Sequence, residues 1–271
     1  MQPILHLTAN QILHEIRTDG HSPLVVSAQN KQWLVKSPLR QPVAYYLASE
    51  VVCAYFLELW DFKMPKFGLM HIEQTVLERF VFVYKKKSDY QKPCFAIEFV
   101  ENAIEINGLL NDVTNEKLGL LQNPIDFLKL ALFDIWVEND DRKPSNPNLM
   151  LAQNKQGVFD FLPIDHAFTF NSDSYKNLLP EFGVTNSFNH SLMDSHLAQT
   201  LIQKNRPFLD NDLATFFVEK INLCATHFDF IIQQLPQEWN LTAADIAQLH
   251  NFLFDNNRSK AVIAEFQSRM Q

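Results

Sequence analysis

From Ile125 to Val137 the chain is apolar on almost every helical face, interrupted by Asp126, Lys129 and Asp134 alone, and Asn123-Pro124 ahead of it is a good helix start. A helix with so little polar surface has to be buried in the centre of a lobe. Directly after it comes Glu138-Asn139-Asp140-Asp141-Arg142-Lys143-Pro144-Ser145-Asn146-Pro147-Asn148, in which Pro144 and Pro147 forbid continuation of the helix. The segment therefore reads as a rigid polar loop. Two apolar runs come next, Asn148 to Ala152 and Val158 to Ile164, around Gln153-Asn154-Lys155-Gln156-Gly157, which predicts a hairpin that ends at Asp165. The loop and Asp165 are then expected to be neighbours.

The first hundred residues have a different pattern. Leu24 to Ala28 and Trp33 to Ser37 predict a β-hairpin with a four-residue loop. Pro42 opens a helical stretch through about Trp60, with Leu47, Val51, Ala54 and Leu57 spaced as one buried stripe. Thr75 to Tyr84 and Phe95 to Val100 read as strands. Beyond residue 100 helices dominate, at roughly Ser191 to Gln203, Asp210 to Leu235, Thr242 to Phe254 and Asn257 to Met270, with Asp210 and Thr242 as N-terminal caps. The expected architecture is α+β and bilobal: a small β-rich lobe over residues 1–100 and a larger helical lobe over 101–271.

A formal charge of −8 argues against nucleic-acid binding, which uses a basic face. The only basic run, Lys85-Lys86-Lys87, reads as a solvated loop. No stretch of about 18 apolar residues is present and the start carries no secretory pattern, so a cytoplasmic protein without membrane contact is expected. Cys53, Cys94 and Cys224 are isolated and odd in number, which suggests buried thiols rather than disulfides or a CxxC metal site.

Phosphoryl transfer requires cations to neutralise a triphosphate, a carboxylate to orient the acceptor hydroxyl, and a basic group near the phosphates. Asp141 and Asn146, five positions apart, are spaced so that one side chain can face an acceptor while the other reaches a metal, and Asp165 lies nineteen positions beyond Asn146. An Asn carbonyl and an Asp carboxylate, completed by phosphate oxygens and water, suit a hard Mg²⁺ ion. Asp165 also sits in a largely apolar stretch, where an unpartnered carboxylate is costly and a cation is a remedy. Asp140 leaves the register open; Asp141 is preferred because it precedes Arg142 and stands five residues before Asn146.

The stretch DDRKPSNPNLML followed by FLPIDHAF resembles the HipA-like kinases and, more distantly, the phosphoinositide kinases. That resemblance implies a protein kinase-like fold and an ATP- and Mg²⁺-dependent phosphotransferase. Asp141 would orient the acceptor as catalytic base, and Asn146 and Asp165 would hold Mg²⁺. Lys36, ending WLVK, resembles the ATP-phosphate lysine, and Glu50 the glutamate that pairs with it. Backbone amides around Gly20 and Ser22 would contact phosphate oxygens, and Ile97, Glu98, Phe99 and Val100 would form the hinge that meets adenine. Two departures stand out: Lys143 replaces the histidine usual after Asp-Arg, and Asp165-His166-Ala167 replaces Asp-Phe-Gly. His166 reads as a structural histidine rather than a proton shuttle, and His190 and His196 do not make a zinc site.

The acceptor implied is a protein Ser/Thr, with Ser22 a candidate for autophosphorylation, or a small hydroxylated molecule. An antitoxin-like partner, where one exists, has to be a separate chain, since no helix-turn-helix or basic region is evident. Two other readings stay open: a pseudokinase that binds nucleotide or serves as a scaffold, and a hydrolase activating water with Asp140, Asp141, Asp165 and His166.

Overall fold

A computed structural model describes residues 1–18, 22–38, 41–170, 174–180 and 191–271. In chain order its elements are β1 (Leu5–Thr8), β2 (Gln11–Glu15), β3 (Leu24–Ala28), β4 (Lys31–Lys36), α1 (Tyr45–Leu59), β5 (Phe67–His71), α2 (Gln74–Glu78), β6 (Cys94–Glu98), β7 (Ile104–Glu105), α3 (Asn107–Asn111), α4 (Asn115–Gly119), α5 (Asp126–Val137), β8 (Leu149–Gln153), β9 (Phe159–Pro163), α6 (His196–Lys204), α7 (Arg206–Asn211), α8 (Leu213–Ile232), α9 (Ala243–Phe254) and α10 (Asn256–Arg269). Among the described residues the strands form a six-stranded sheet in the order β1-β5-β6-β4-β3-β2 and a small sheet β7-β8-β9.

The large sheet is covered on both faces. Phe67, Leu69 and Phe95 alternate with Met70, Cys94 and Ala96, and the first set joins the core around α1 while the second joins Leu24, Val26, Trp33 and Val35 on the opposite side. Helix α1 is buried at Tyr45 and from Leu47 through Leu57 rather than along one stripe. It shares its core with α5, α8, α9 and α10, so this helix of the β-rich half is also a centre of the helical half.

The predicted α5, the polar loop and the β8-β9 hairpin are all present. The β3-β4 connection is shorter than expected: Ala28 pairs with Lys31, and only Gln29 and Asn30 turn the chain, at φ 51° and 59°. Two consecutive left-handed residues match the twist of the strands they join, which favours this tight turn over a four-residue loop. The strand expected at Thr75 to Tyr84 is not formed. Its first part is α2, and the rest alternates, with Phe80 and Phe82 packed inward and Val81 and Val83 exposed, without a ladder. The amides of Val83, Tyr84 and Lys85 go instead to the Glu15 carboxylate, at 2.5, 3.2 and 3.1 Å.

Near the C-terminus the capping box of α9 forms as expected, with Asp245 N donating to Thr242 Oγ1 at 3.2 Å and Thr242 N to Asp245 Oδ2 at 2.9 Å. Asp210 does not cap. It lies inside α7, and α8 begins after Asp212 without a side-chain cap.

Candidate functional site

Strand β4 places Lys36 at its end, opposite Phe95 of β6, and α1 carries Glu50 on the turn that faces it. Lys36 Nζ forms an ion pair with Glu50 Oε1 and a second one with Asp165 Oδ1 at 2.8 Å. Glu50 is 2% exposed, so it is not a solvated helix residue. Its other oxygen accepts from His166 N at 3.0 Å. Burial alone would lower the Lys36 ammonium, yet the two carboxylates together outweigh it and raise its pKa, so the lysine stays charged. Asp165 stands at φ 56°, a left-handed conformation that Asp tolerates better than most residues.

The loop is tied to the same place by Arg142, 1% exposed. Its Nε donates to Asp134 Oδ1 of α5 at 3.1 Å, Nη1 to Asn148 O at 2.5 Å, and Nη2 to Ile164 O at 3.2 Å. One guanidinium therefore holds the end of α5, the end of the loop and the residue before Asp165. Nη2 also meets His166 Nε2 at 2.8 Å. Arginine can only donate, so Nε2 accepts and the imidazole is neutral with its proton on Nδ1. Burial first, then Arg142 and Lys36, hold His166 well below its ordinary pKa. This is the structural histidine expected from the sequence.

Within the loop, Asn146 and Lys143 exchange backbone hydrogen bonds at 2.9 and 3.1 Å, which folds Pro144 and Ser145 into a tight turn. Asn146 Nδ2 donates to Asp141 O at 3.3 Å, which directs its amide oxygen elsewhere. Asn148 Nδ2 donates to Asp141 Oδ2 at 3.0 Å. Asn139 Oδ1 accepts from Asp141 N at 3.3 Å. Asp140 N reaches Phe168 O at 3.4 Å, on the far side of Asp165.

Three further expectations meet the structure differently. Gly20 and His190 lie outside the described residues. Ser22 is buried at φ 40°, with its amide donating to Thr18 Oγ1 at 2.9 Å and its hydroxyl to Thr18 O at 3.3 Å, so both groups already have local partners. At the expected hinge, the amides of Glu98 and Phe99 donate to Lys66 O at 2.7 Å and Gln32 O at 2.9 Å, and the Glu98 carboxylate pairs with Lys31.

Sequence reasoning passed over Arg142, Asp134, Asn139 and Asn148 as structural partners. One signal was available. Asp134, set among apolar residues in the second half of α5, needs a cation, and the next arginine is eight residues on. Burial raises the Asp134 carboxyl to about 6, against the pull of Arg142.

No group of three or more His, Cys, Asp or Glu side chains suited to a metal ion is found among the described residues, and none of their helices is long and apolar enough to cross a membrane. A family model described as HipA-like kinase matches residues 11–269. Among solved structures the chain is similar to the Helicobacter pylori proinflammatory kinase CtkA, with 10% identity over 99% of this chain and 98% of that one and a TM-score of 0.55, a likeness of fold. Two structures of CtTel1, the complete dimer with C2 symmetry and the open conformation, are 13% and 11% identical over 92% of this chain and 11% of theirs. Their TM-scores are 0.32 and 0.30. No curated protein matches the sequence. With the match running through almost its whole length, the chain belongs to the HipA-like kinase family and is a kinase, an enzyme that transfers a phosphoryl group.

Proposed function

We propose that the chain transfers the γ-phosphoryl group of ATP, with Mg²⁺, to the hydroxyl of a protein Ser/Thr or of a small molecule. The observation that carries the reading is the cluster in which Lys36 meets both Glu50 and Asp165 while Arg142 ties the Asp141 loop to the same hairpin end. Four elements distant in sequence converge there around the Lys36 cation.

In this reading Lys36, oriented by Glu50, contacts the phosphates, and Asn146 and Asp165 hold the metal. The donor chemistry fits: two hard oxygen donors and no soft ligand suit Mg²⁺ completed by phosphate and water, and would not make a zinc site. When bound, the cation would neutralise charge on the triphosphate. Asp141 takes the acceptor's proton as the acceptor oxygen bonds to the γ-phosphorus and the bond from that phosphorus to the bridging oxygen breaks, releasing ADP. The Glu98 to Val100 segment lies against adenine. A cytoplasmic setting agrees with three free buried cysteines, and an antitoxin-like partner would be a separate chain.

The test is ATP consumption with purified protein against a panel of protein and small hydroxylated acceptors, alongside Asp141→Asn and Asp165→Asn. Loss of the base should cost about 10²- to 10⁴-fold in kcat. Loss of Asp165 should raise the Mg²⁺ concentration needed for half-maximal rate. An Asp141→Asn protein that turns over at the unmodified rate sinks the assignment.

A further inference from the structure

Helix α5 ends in a turn that glycine ordinarily makes. Glu138, just past its last residue, stands at φ 49° and ψ 61°, and Asn139 N donates back to Asp134 O at 2.9 Å. That closure puts its left-handed residue where a Cβ is unfavourable, which is why glycine leads at such positions. A glutamate held there calls for a compensating contact.

The contact comes from the far end of the chain. Arg258 of α10 is 1% exposed; its Nη1 pairs with Glu138 Oε1 at 3.2 Å and its Nη2 donates to Trp136 O at 2.7 Å. Trp136 lies in the last turn of α5, where carbonyls lack helical partners. The guanidinium lies 3.7 Å over the Phe252 ring, and Arg258 N donates to Asp255 Oδ1, the cap of α10, at 2.8 Å. One buried arginine thus closes the end of α5 and holds the side chain of its strained residue.

The Asp141 loop begins immediately after Glu138. Asn139 Nδ2 donates to Asp134 Oδ1 at 3.0 Å while its Oδ1 accepts from Asp141 N, so the direction in which the chain leaves Glu138 sets where the Asp141 backbone stands. We infer that Arg258 is a positioning residue for phosphoryl transfer, reaching from the last helix to hold the Glu138 turn and, through it, the Asp141 loop. The catalytic consequence rests on the role proposed for Asp141; the mechanical link does not.

Displacement of a reacting group by about 1 Å can cost about 10²-fold in rate. Arg258→Met should therefore lower kcat roughly 10- to 100-fold, with KM for ATP within about twofold, because Lys36, Glu50 and Asp165 are untouched. Amide exchange of Asn139 to Arg142 should speed up while that of β3 and β4 stays the same. Because Arg258→Met leaves the Glu138 carboxylate unpaired, the deciding protein is Glu138→Gln, Arg258→Met. It removes both charges and keeps a left-handed residue with a Cβ but without its arginine contact, so it should stay folded and still show the depressed kcat and the faster loop exchange. A double variant that is folded, with kcat within about twofold of the unmodified enzyme and unchanged exchange at 139–142, overturns the inference. Full activity in Asp141→Asn would overturn the role of Asp141 alone, and faster loop exchange in Arg258→Met would still support the link.

Discussion

Replacing Lys36 by Met tests whether the ion cluster is the mechanical centre that the geometry suggests. The change keeps the apolar stem and deletes a charge that faces Glu50 and Asp165. Glu50, with its side chain 3% exposed, is left as a buried carboxylate whose remaining bond is from His166 N. Stranding a buried charge costs about 3 to 5 kcal/mol, and protonation of Glu50, whose carboxyl burial already pushes upward, gives back part of that. Asp165 adds little, being about a third exposed and able to turn to water. A net loss of about 2 to 4 kcal/mol leaves a domain of ordinary stability folded. Removing the stranded charge as well, in Lys36→Met, Glu50→Gln, should recover about 2 kcal/mol, since a glutamine oxygen can still accept from His166 N. The assay is urea denaturation of the four proteins of the cycle at pH 7, with nucleotide binding measured in parallel. Two losses that simply add, within about 0.5 kcal/mol, would refute the idea of one coupled cluster.

Two further outcomes are expected. Burial pushes Asp134 to about 6 and Glu138 to about 7, in the latter case with Arg258 opposing and Asp140 adding. Both folded values lie above the unfolded ones of about 3.9 and 4.3, so the stability that these groups contribute is complete below about pH 4 and is lost as pH rises through 6 and 7. Urea midpoints of Glu138→Gln should lack the part of that fall between about pH 5 and 7; a slope identical to the unmodified protein's would count against the buried carboxyl. Gly68→Ala would set a Cβ 2.6 Å from Leu5 O across the β1-β5 pair, forcing backbone to move. A loss of about 1 to 3 kcal/mol with faster amide exchange in β1 is expected, and an unchanged midpoint would show that the edge strand yields freely.

Much of the architecture was readable from local pattern. The apolar run of α5, the prolines of the loop, the runs flanking Gly157 and the Thr242 and Asp245 box each carry their physical cause within a few residues. The parts that were misread depend on partners elsewhere. Thr75 to Tyr84 has the alternation of a strand, but its amides found the Glu15 carboxylate instead of a neighbouring strand. Strand β1 passed unnoticed because its partner β5 lies some sixty residues on and pairs with it in parallel.

At the site the division is sharper. Sequence alone determined where the proposed groups stand: Asp141 and Asn146 on a loop that cannot be helical, Asp165 at the end of a hairpin, Lys36 at the end of a strand. Only the tertiary structure decided that Glu50 is buried against Lys36, that Arg142 turns inward to bind α5, the loop and the hairpin together, and that Arg258 arrives from the last helix to hold Glu138. Patterning reports whether a position prefers water or the interior. The meaning of a buried charge is set by the opposite charge beside it, and here that partner comes from another element of the fold.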